Sequence, residues 1–106
     1  MTPASEIPGR AGRAVRVVGM PCAYRRVETR SGGLMLFLTL ADRTGLVECV
    51  LFPDAYQRLA HAARGEVLWV EGRVDETLGA ATVTVERLRV VVPESSAPAG
   101  ERAPGR

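Results

Sequence analysis

The amino-acid sequence predicts an all-β fold, a five-stranded Greek-key barrel with one short helix between the third and fourth strands. Segments in which apolar and polar residues alternate recur along the chain, with Gly, Pro and polar turn residues between them. Residues 34–53 contain two of these segments, joined by a tight polar turn and followed at once by a helix start. The 106 residues suffice for one domain with a single core.

The first strand is predicted over residues 14–28, in which the alternation is broken around Gly19 and Pro21. A glycine followed by a proline inside a strand indicates a bulge or a bend. Such a bend lets one long strand pair with two different neighbours, as a small barrel requires. The loop at residues 29–33 ends in two glycines and is expected to be flexible.

The second and third strands are predicted over residues 34–41 and 46–52, because the turn residues at 42–45 separate two alternating segments. Pro53 follows, and a helix tolerates proline best at its first position. The helix is predicted to end at Gly65. Its narrow apolar stripe consists of Tyr56, Leu59, Ala60 and Ala63.

The fourth and fifth strands are predicted over residues 66–75 and 81–92, which again alternate. This order of strands and helix is that of the OB-fold, here expected over residues 14–92. Residues 1–13 and 93–106 are rich in Pro and Gly and show no periodicity. We expect them to form a flexible N-terminal arm and a disordered C-terminal tail.

The charge and cysteine content indicate little by themselves. A net charge of +2 is too small to establish a polyanionic partner. All 14 basic residues are Arg, which binds phosphate and stacks on bases, although a GC-rich coding sequence explains the same bias.

Cys22 and Cys49 lie in apolar segments, and both are expected to act as small hydrophobic residues in a reducing compartment. Without an apolar leader or a membrane-spanning run, we expect a soluble, cytoplasmic protein with no membrane partner.

No constellation of catalytic residues is found in the sequence. His61 is the single histidine and lies on the predicted helix without an acid–base partner at a recognisable spacing. Paired carboxylates, a nucleophile motif, a phosphate-binding glycine loop and a metal-ligand cluster are all missing. We therefore expect no enzymatic activity, no metal and no cofactor.

Several strings of residues resemble one known family when they are taken together in register. They are Val15-Arg16-Val17-Val18-Gly19, Phe37-Leu38-Thr39-Leu40, Asp42 with Thr44-Gly45, Glu48, Val50-Leu51-Phe52-Pro53, Tyr56 and Val70-Glu71-Gly72-Arg73-Val74. Together they resemble the OB-fold module of the alpha (catalytic) subunit of bacterial DNA polymerase III. The wider class shares its fold with the anticodon-binding domains of class II aminoacyl-tRNA synthetases such as the aspartyl enzyme. The resemblance implies contact with single-stranded DNA in replication or repair, but not polymerase activity.

The predicted binding surface is the outer face of strands two and three, where an OB barrel binds a single strand. Alternation places Phe37 on this face together with Met35 and Thr39. We predict that a base stacks on Phe37, rather than that Phe37 packs beneath the neighbouring loop. Glu48 is included because a carboxylate can accept a hydrogen bond from a base amino group.

Arginines near the first loop are predicted to bind the phosphates, as a cluster beside the stacking residue. They are Arg25, Arg26 and Arg30. Tyr24 is a further candidate, with a core position as its alternative. Arg73 points outward from strand four and reaches the same groove or pairs with Glu71 or Glu86. Trp69 is expected to cover the helix rather than to serve as a second stacking surface, and Phe52 is expected to pack inside the protein.

From these features we predict an OB-fold protein that binds single-stranded nucleic acid, DNA rather than RNA, by stacking and Arg–phosphate pairing. Two alternatives stay open. The first is a protein-interaction module that docks a replication or repair partner, favoured by the modest net charge and the few aromatic residues. The second is an anticodon-type RNA binder.

Overall fold

The structure is a computed structural model, and it describes residues 1–77 and 79–91. Its elements in chain order are a 3-10 helix (Ala4–Gly9), β1 (Ala14–Glu28), β2 (Leu34–Asp42), β3 (Gly45–Leu51), α1 (Pro53–Leu59), a second 3-10 helix (Ala62–Arg64), β4 (Leu68–Asp75) and β5 (Thr82–Val90). The strands form a closed barrel in the order β1-β2-β3-β5-β4. Of the strand pairings that the structure describes, that of β3 with β5 is parallel and the other four are antiparallel. The predicted five-stranded OB-type barrel is thereby confirmed.

The predicted bend of the first strand is present and divides β1 between two neighbours. Residues 14–19 pair with β4, and residues 20–28 pair with β2. The register with β2 shifts between Pro21 and Ala23, which is a β-bulge. Gly19 sits at the crossing, where an added Cβ would approach the carbonyl oxygen of Ala41 to 2.8 Å. A residue without a side chain is therefore required at the point where the strand changes neighbours.

The core fills the barrel interior with inward residues from all five strands. Eight of these residues have no exposed surface: Val17, Leu38, Leu40, Cys49, Leu51, Leu68, Val70 and Val83. Pro53 occupies the first turn of α1, as predicted, and Gly65 caps the 3-10 helix that follows. Ala55 and Ala63 are buried at this end of the barrel, with Tyr56 packed against them. The helical segment thus closes the barrel where β3 ends.

The N-terminal residues pack on the barrel, unlike the flexible arm that their composition predicted. Within the 3-10 helix Ala4–Gly9, Ile7 is only 1% exposed and belongs to the core. The Gly12 amide donates to the Val74 carbonyl at 2.8 Å. Ala4 and Ile7 anchor the segment, and two isolated buried residues carry no periodicity that could signal burial. The predicted C-terminal tail at 93–106 lies outside the described residues. In the part of the chain that the structure describes, no helix has the length and apolar content needed to cross a membrane.

Asp42 connects the N-terminal 3-10 helix to the β2–β3 turn. Its Oδ1 accepts from the Thr44 hydroxyl at 2.6 Å, and its Oδ2 accepts from the Ala4 amide at 2.8 Å. The bond from Thr44, followed by that from Ala4, lowers the pKa of Asp42 below its ordinary 3.8. Because the pKa is lower in the folded state, ionised Asp42 stabilises the fold above pH 3.8, and this contribution is lost as the pH falls through the folded value.

We expect Asp42→Asn to reduce the free energy of unfolding by about 1–3 kcal/mol at pH 7, because the amide keeps only one acceptor oxygen. The bonds that the β2–β3 turn donates to that oxygen become neutral, and the bond from the Ala4 amide is lost, since an NH2 group cannot accept it. The difference from wild type should shrink as the pH falls below 3.8. Urea unfolding at a series of pH values measures it. Asp54→Asn is the matched control, since the Asp54 side chain is 90% exposed and pairs with Arg58 at 3.5 Å. A difference that stays constant with pH would contradict the assigned role of Asp42.

The two cysteines lie in opposite environments. Cys49 is buried in the barrel, and this burial, with the Glu48 charge as a smaller cause, raises the pKa of its thiol to about 12. Cys22 is exposed at the bulge of β1, with its Sγ 3.5 Å from the Thr39 carbonyl oxygen. The prediction that both act as small hydrophobic residues is wrong for Cys22, whose side chain is exposed because the bulge turns it out of the strand ladder.

A thiol reagent such as DTNB is therefore expected to modify Cys22 rapidly in the native protein and Cys49 only after unfolding. Absorbance at neutral pH should report one reactive thiol per chain, and two in denaturant. Cys22→Ser should leave none in the native state. Rapid modification of both thiols without denaturant would show that the barrel opens more readily than its packing implies.

Candidate nucleic-acid interface

The outer surface of β2 and its two neighbours forms one continuous face. Arg25 of β1 lies opposite Phe37, and Glu48 of β3 lies opposite Thr39. Directly paired residues share a face of a sheet, so these side chains point away from the buried leucines of β2. Met35 has the same outward parity, and all three outward residues of β2 are half-buried. We call this surface, consisting of Arg25, Met35, Phe37, Thr39 and Glu48, the Phe37 face.

A cation stacked on an aromatic ring marks the centre of the Phe37 face. The guanidinium carbon of Arg25 lies 4.4 Å from the centroid of the Phe37 ring. Among residues 1–77 and 79–91, no carboxylate forms an ion pair with Arg25. The N–H donors of Arg25 are thus available to a phosphate, while its plane and the ring beneath it offer a stacking surface.

Tyr24 and Arg26 do not join the Phe37 face. They lie opposite Leu38 and Leu36, the inward residues of β2. The Tyr24 hydroxyl donates to the Ala63 carbonyl at 2.5 Å, which holds the ring against the second 3-10 helix. Both side chains line a cavity of about 180 Å³ beside that helix. The predicted cluster of Arg26 with Arg25 is wrong, because neighbouring residues of a strand point to opposite faces.

Arg30 is exposed on the β1–β2 loop, which borders the Met35 end of the face. The loop is closed by hydrogen bonds from the Thr29 amide to the Gly33 carbonyl at 2.7 Å and from the Gly33 amide to the Thr29 hydroxyl at 3.0 Å. Gly32 has a φ of 92°, a left-handed conformation that suits glycine. The loop therefore presents Arg30 from a defined turn.

Arg73 lies outside the predicted groove. Its Nη1 donates to the Gly12 carbonyl at 2.9 Å, and it faces Thr84 of β5 across the β4–β5 ladder. On the shared neighbour β1, Arg73 lies opposite Ala14 and Phe37 lies opposite Arg25, so the two are separated by most of the length of that strand. The expectation that it reaches the Phe37 groove is wrong. Nor does it pair with Glu71, whose carboxylate contacts Arg16 at 3.1 Å.

Phe52 is a binding candidate that the sequence analysis assigned to internal packing. It is 45% exposed at the end of β3, one residue beyond the Leu36–Leu51 pair. Because every second residue of a strand points to the same side, Phe52 points outward like Glu48. It extends the Phe37 face toward Met35. The alternation of residues 48, 50 and 52 is visible in the sequence. Pro53, which follows, indicates a helix start, and a helix start usually buries its flanking hydrophobic residue. Phe52 was assigned to internal packing for that reason.

Residues 13–91 match the family model described as OB-fold nucleic acid binding domain. The error-prone DNA polymerase of Symbiobacterium thermophilum is 42% identical over 85 residues, which are 77% of this chain and 8% of that protein. The DNA polymerase III subunit alpha of Halalkalibacterium halodurans is 37% identical over 70 residues, 65% of this chain and 6% of that protein. The chain thus spans less than a tenth of these relatives, and the resemblance to a polymerase OB-fold module is confirmed.

Among solved structures, the asparaginyl-tRNA synthetase of Pyrococcus horikoshii complexed with asparaginyl-adenylate superposes with a TM-score of 0.67 and 28% identity. The match covers 92% of this chain and 24% of the synthetase chain. The barrel described above is therefore shared with a synthetase as well as with the polymerases.

Proposed function

This chain belongs to the family of OB-fold nucleic acid binding domains, and we propose that it binds single-stranded DNA on the Phe37 face. The observation that carries the proposal is the Arg25–Phe37 pair, in which an arginine without a carboxylate partner in the described structure stacks at 4.4 Å on an outward aromatic ring. Phe37 lies on β2, a strand of the binding face of an OB barrel, and Arg25 lies beside it on β1. Both components of single-strand recognition, a stacking surface and a phosphate ligand, therefore occur side by side.

Binding combines three contacts. A base stacks on the Phe37 ring or on the Arg25 guanidinium plane, a contact worth about 1–3 kcal/mol per base. Arg25 and Arg30 form ion pairs with the phosphates on either side of that base. The Thr39 hydroxyl and the Glu48 carboxylate face the base edges, where a carboxylate accepts from an exocyclic amino group. Phe52 provides a second stacking surface at the loop end. No covalent bond changes in this mechanism, so the proposed role is non-catalytic.

The polymerase relatives support DNA as the ligand and replication or repair as the setting. Because the chain spans so little of their length, this setting is itself part of the proposal.

Docking of a replication or repair protein is the second candidate function. It is favoured by Leu46, which is 66% exposed at the turn end of the same face, and by the negative charge of Glu48 beside it.

Salt-dependent binding of fluorescein-labelled oligo-dT, measured by anisotropy, tests the proposal. Two or three phosphate contacts predict that log affinity falls linearly with log salt, with a slope of about −1.4 to −2.1. Arg25→Gln should reduce this slope by about 0.7. Arg10→Gln is the charge-matched control, because Arg10 pairs with Glu6 at 2.7 Å on the N-terminal 3-10 helix. Its slope should match that of wild type.

The same titration separates the alternatives. Absence of binding at low salt would overturn the nucleic-acid proposal and leave protein docking as the remaining candidate. Tighter binding of oligo-rU than of oligo-dT would assign the face to RNA. An equal loss in Arg25→Gln and Arg10→Gln would show that the total charge, and not the Phe37 face, is responsible for binding.

A further inference from the structure

We propose that a second contact site for single-stranded nucleic acid lies on the outer face of β4 and β5, centred on Trp69 and Arg89. The two residues face each other across the β4–β5 ladder, with the Arg89 guanidinium carbon 4.4 Å from the Trp69 ring centroid. This repeats the construction of the Arg25–Phe37 pair on another side of the barrel. The site would take a nucleobase together with its adjoining phosphate, and this assignment rests on the proposed function.

A groove of about 360 Å³ borders the pair, a volume within the range of small-ligand pockets. Its lining consists of Arg58, Leu59, Trp69, Arg87, Leu88 and Arg89. The two leucines supply an apolar floor, since Leu88 is 5% exposed and Leu59 packs against the core. Half of the lining residues are arginines. The groove therefore offers an apolar, aromatic surface for a base and cations for the phosphate.

The charge around the groove favours an anionic ligand. Arg87 is 3.7 Å from Glu71, a carboxylate that also contacts Arg16 on the neighbouring strand. Arg58 pairs with Asp54, and no carboxylate pairs with Arg89 within the described ranges. Three arginines thus line the groove and two carboxylates pair with them, so Arg89 supplies the additional positive charge.

The position of the site relative to the Phe37 face indicates one extended path. Trp69 lies opposite Val18 of β1, and Phe37 lies opposite Arg25 of the same strand. Seven residues along a strand correspond to about 23 Å before the bend is considered. A flat aromatic ring favours a nucleobase over an acidic peptide, because bases of any sequence stack on it. An oligonucleotide long enough to follow β1 would therefore reach both aromatic residues.

Trp69 is the only tryptophan of the chain, so its fluorescence reports on this site alone. Unlabelled oligo-dT of about 15 nucleotides, within the range for OB folds, is titrated into wild type and Phe37→Ala at low salt. We expect quenching in both proteins, with weaker affinity in Phe37→Ala. Arg89→Gln should weaken the affinity measured by quenching by about fivefold to tenfold. Arg43→Gln, on the exposed β2–β3 turn, is the charge-matched control and should change it less than twofold.

The outcomes distinguish this site from the Phe37 face. If labelled oligo-dT binds wild type but Trp69 fluorescence does not change, the second site is overturned while the proposed function stands. If quenching persists and Phe37→Ala has no effect, the second site is supported and the Phe37 face is overturned. Equal quenching by a poly-glutamate peptide of the same charge would overturn base stacking at Trp69 in favour of an acidic protein segment.

Discussion

Phe37→Ala is expected to weaken the binding of oligo-dT at low salt by about 5- to 150-fold, the equivalent of about 1–3 kcal/mol. The truncation removes the ring on which a base stacks, and it also removes the support that holds the Arg25 guanidinium in place 4.4 Å from the ring centroid. Since Phe37 points outward and does not belong to the core cluster, the fold should tolerate the change. Anisotropy of labelled oligo-dT measures the loss, and circular dichroism confirms that the barrel is intact.

Two further aromatic-to-alanine variants test whether the loss of affinity is specific to the position of Phe37. Tyr24→Ala removes a ring of similar size from the adjacent strand, but on the side that faces the second 3-10 helix, so we expect less than a twofold change in affinity. Phe52→Ala should produce a loss smaller than that of Phe37→Ala, because Phe52 lies at the edge of the face. If Tyr24→Ala weakens binding as much as Phe37→Ala, the bound strand lies on the helix side of the barrel.

Gly72→Ala is expected to abolish stable folding. Gly72 is buried in β4 beside a register shift with β5, and an added Cβ would overlap the carbonyl oxygen of Thr84. The same Cβ would come within 2.9 Å of a Val83 side-chain carbon in the core. Backbone atoms of a paired strand cannot move away without breaking the ladder. We expect a loss of more than about 3 kcal/mol, comparable to severe overpacking of a core.

Thermal or urea unfolding of purified protein measures the effect, and Gly9→Ala provides the matched control. An added Cβ at Gly9 would meet no atom within 4 Å, so the free energy of unfolding of Gly9→Ala should stay within about 1 kcal/mol of wild type. A Gly72→Ala protein that unfolds at the wild-type midpoint would show that β4 and β5 pair in another register. Both proteins carry the same chemical change, so only the local packing differs between them.

Much of the fold could be predicted from local patterns. Alternation located all five strands to within about two residues of their ends, since one buried and one free face impose a period of two. The glycine and proline of the first strand marked its bend, and Pro53 marked the start of α1. The N-terminal 3-10 helix could not be predicted, because Ala4 and Ile7, the residues that it buries, form no periodic pattern.

The candidate site was predicted only in part. Phe37 and its outward neighbours on β2 follow from alternation within one uninterrupted strand. The arginines of β1 do not, because the bulge between Pro21 and Ala23 reverses the alternation of that strand. Val17 is therefore inward before the bulge, whereas Arg25 is outward after it. For this reason Arg25, and not Arg26, meets Phe37.

The class of barrel, the order of its elements and the outward face of β2 follow from local patterns, because each depends on residues close together in the chain. The side chains that meet across strands follow from the folded barrel alone. Arg25 lies on Phe37, Arg89 lies on Trp69, and Arg73 is held by the Gly12 carbonyl. Cross-strand register joins segments that are distant in sequence, and a bulge of one residue exchanges the two faces of a strand. A local pattern cannot report either, so the partners of each arginine emerged only from the folded barrel.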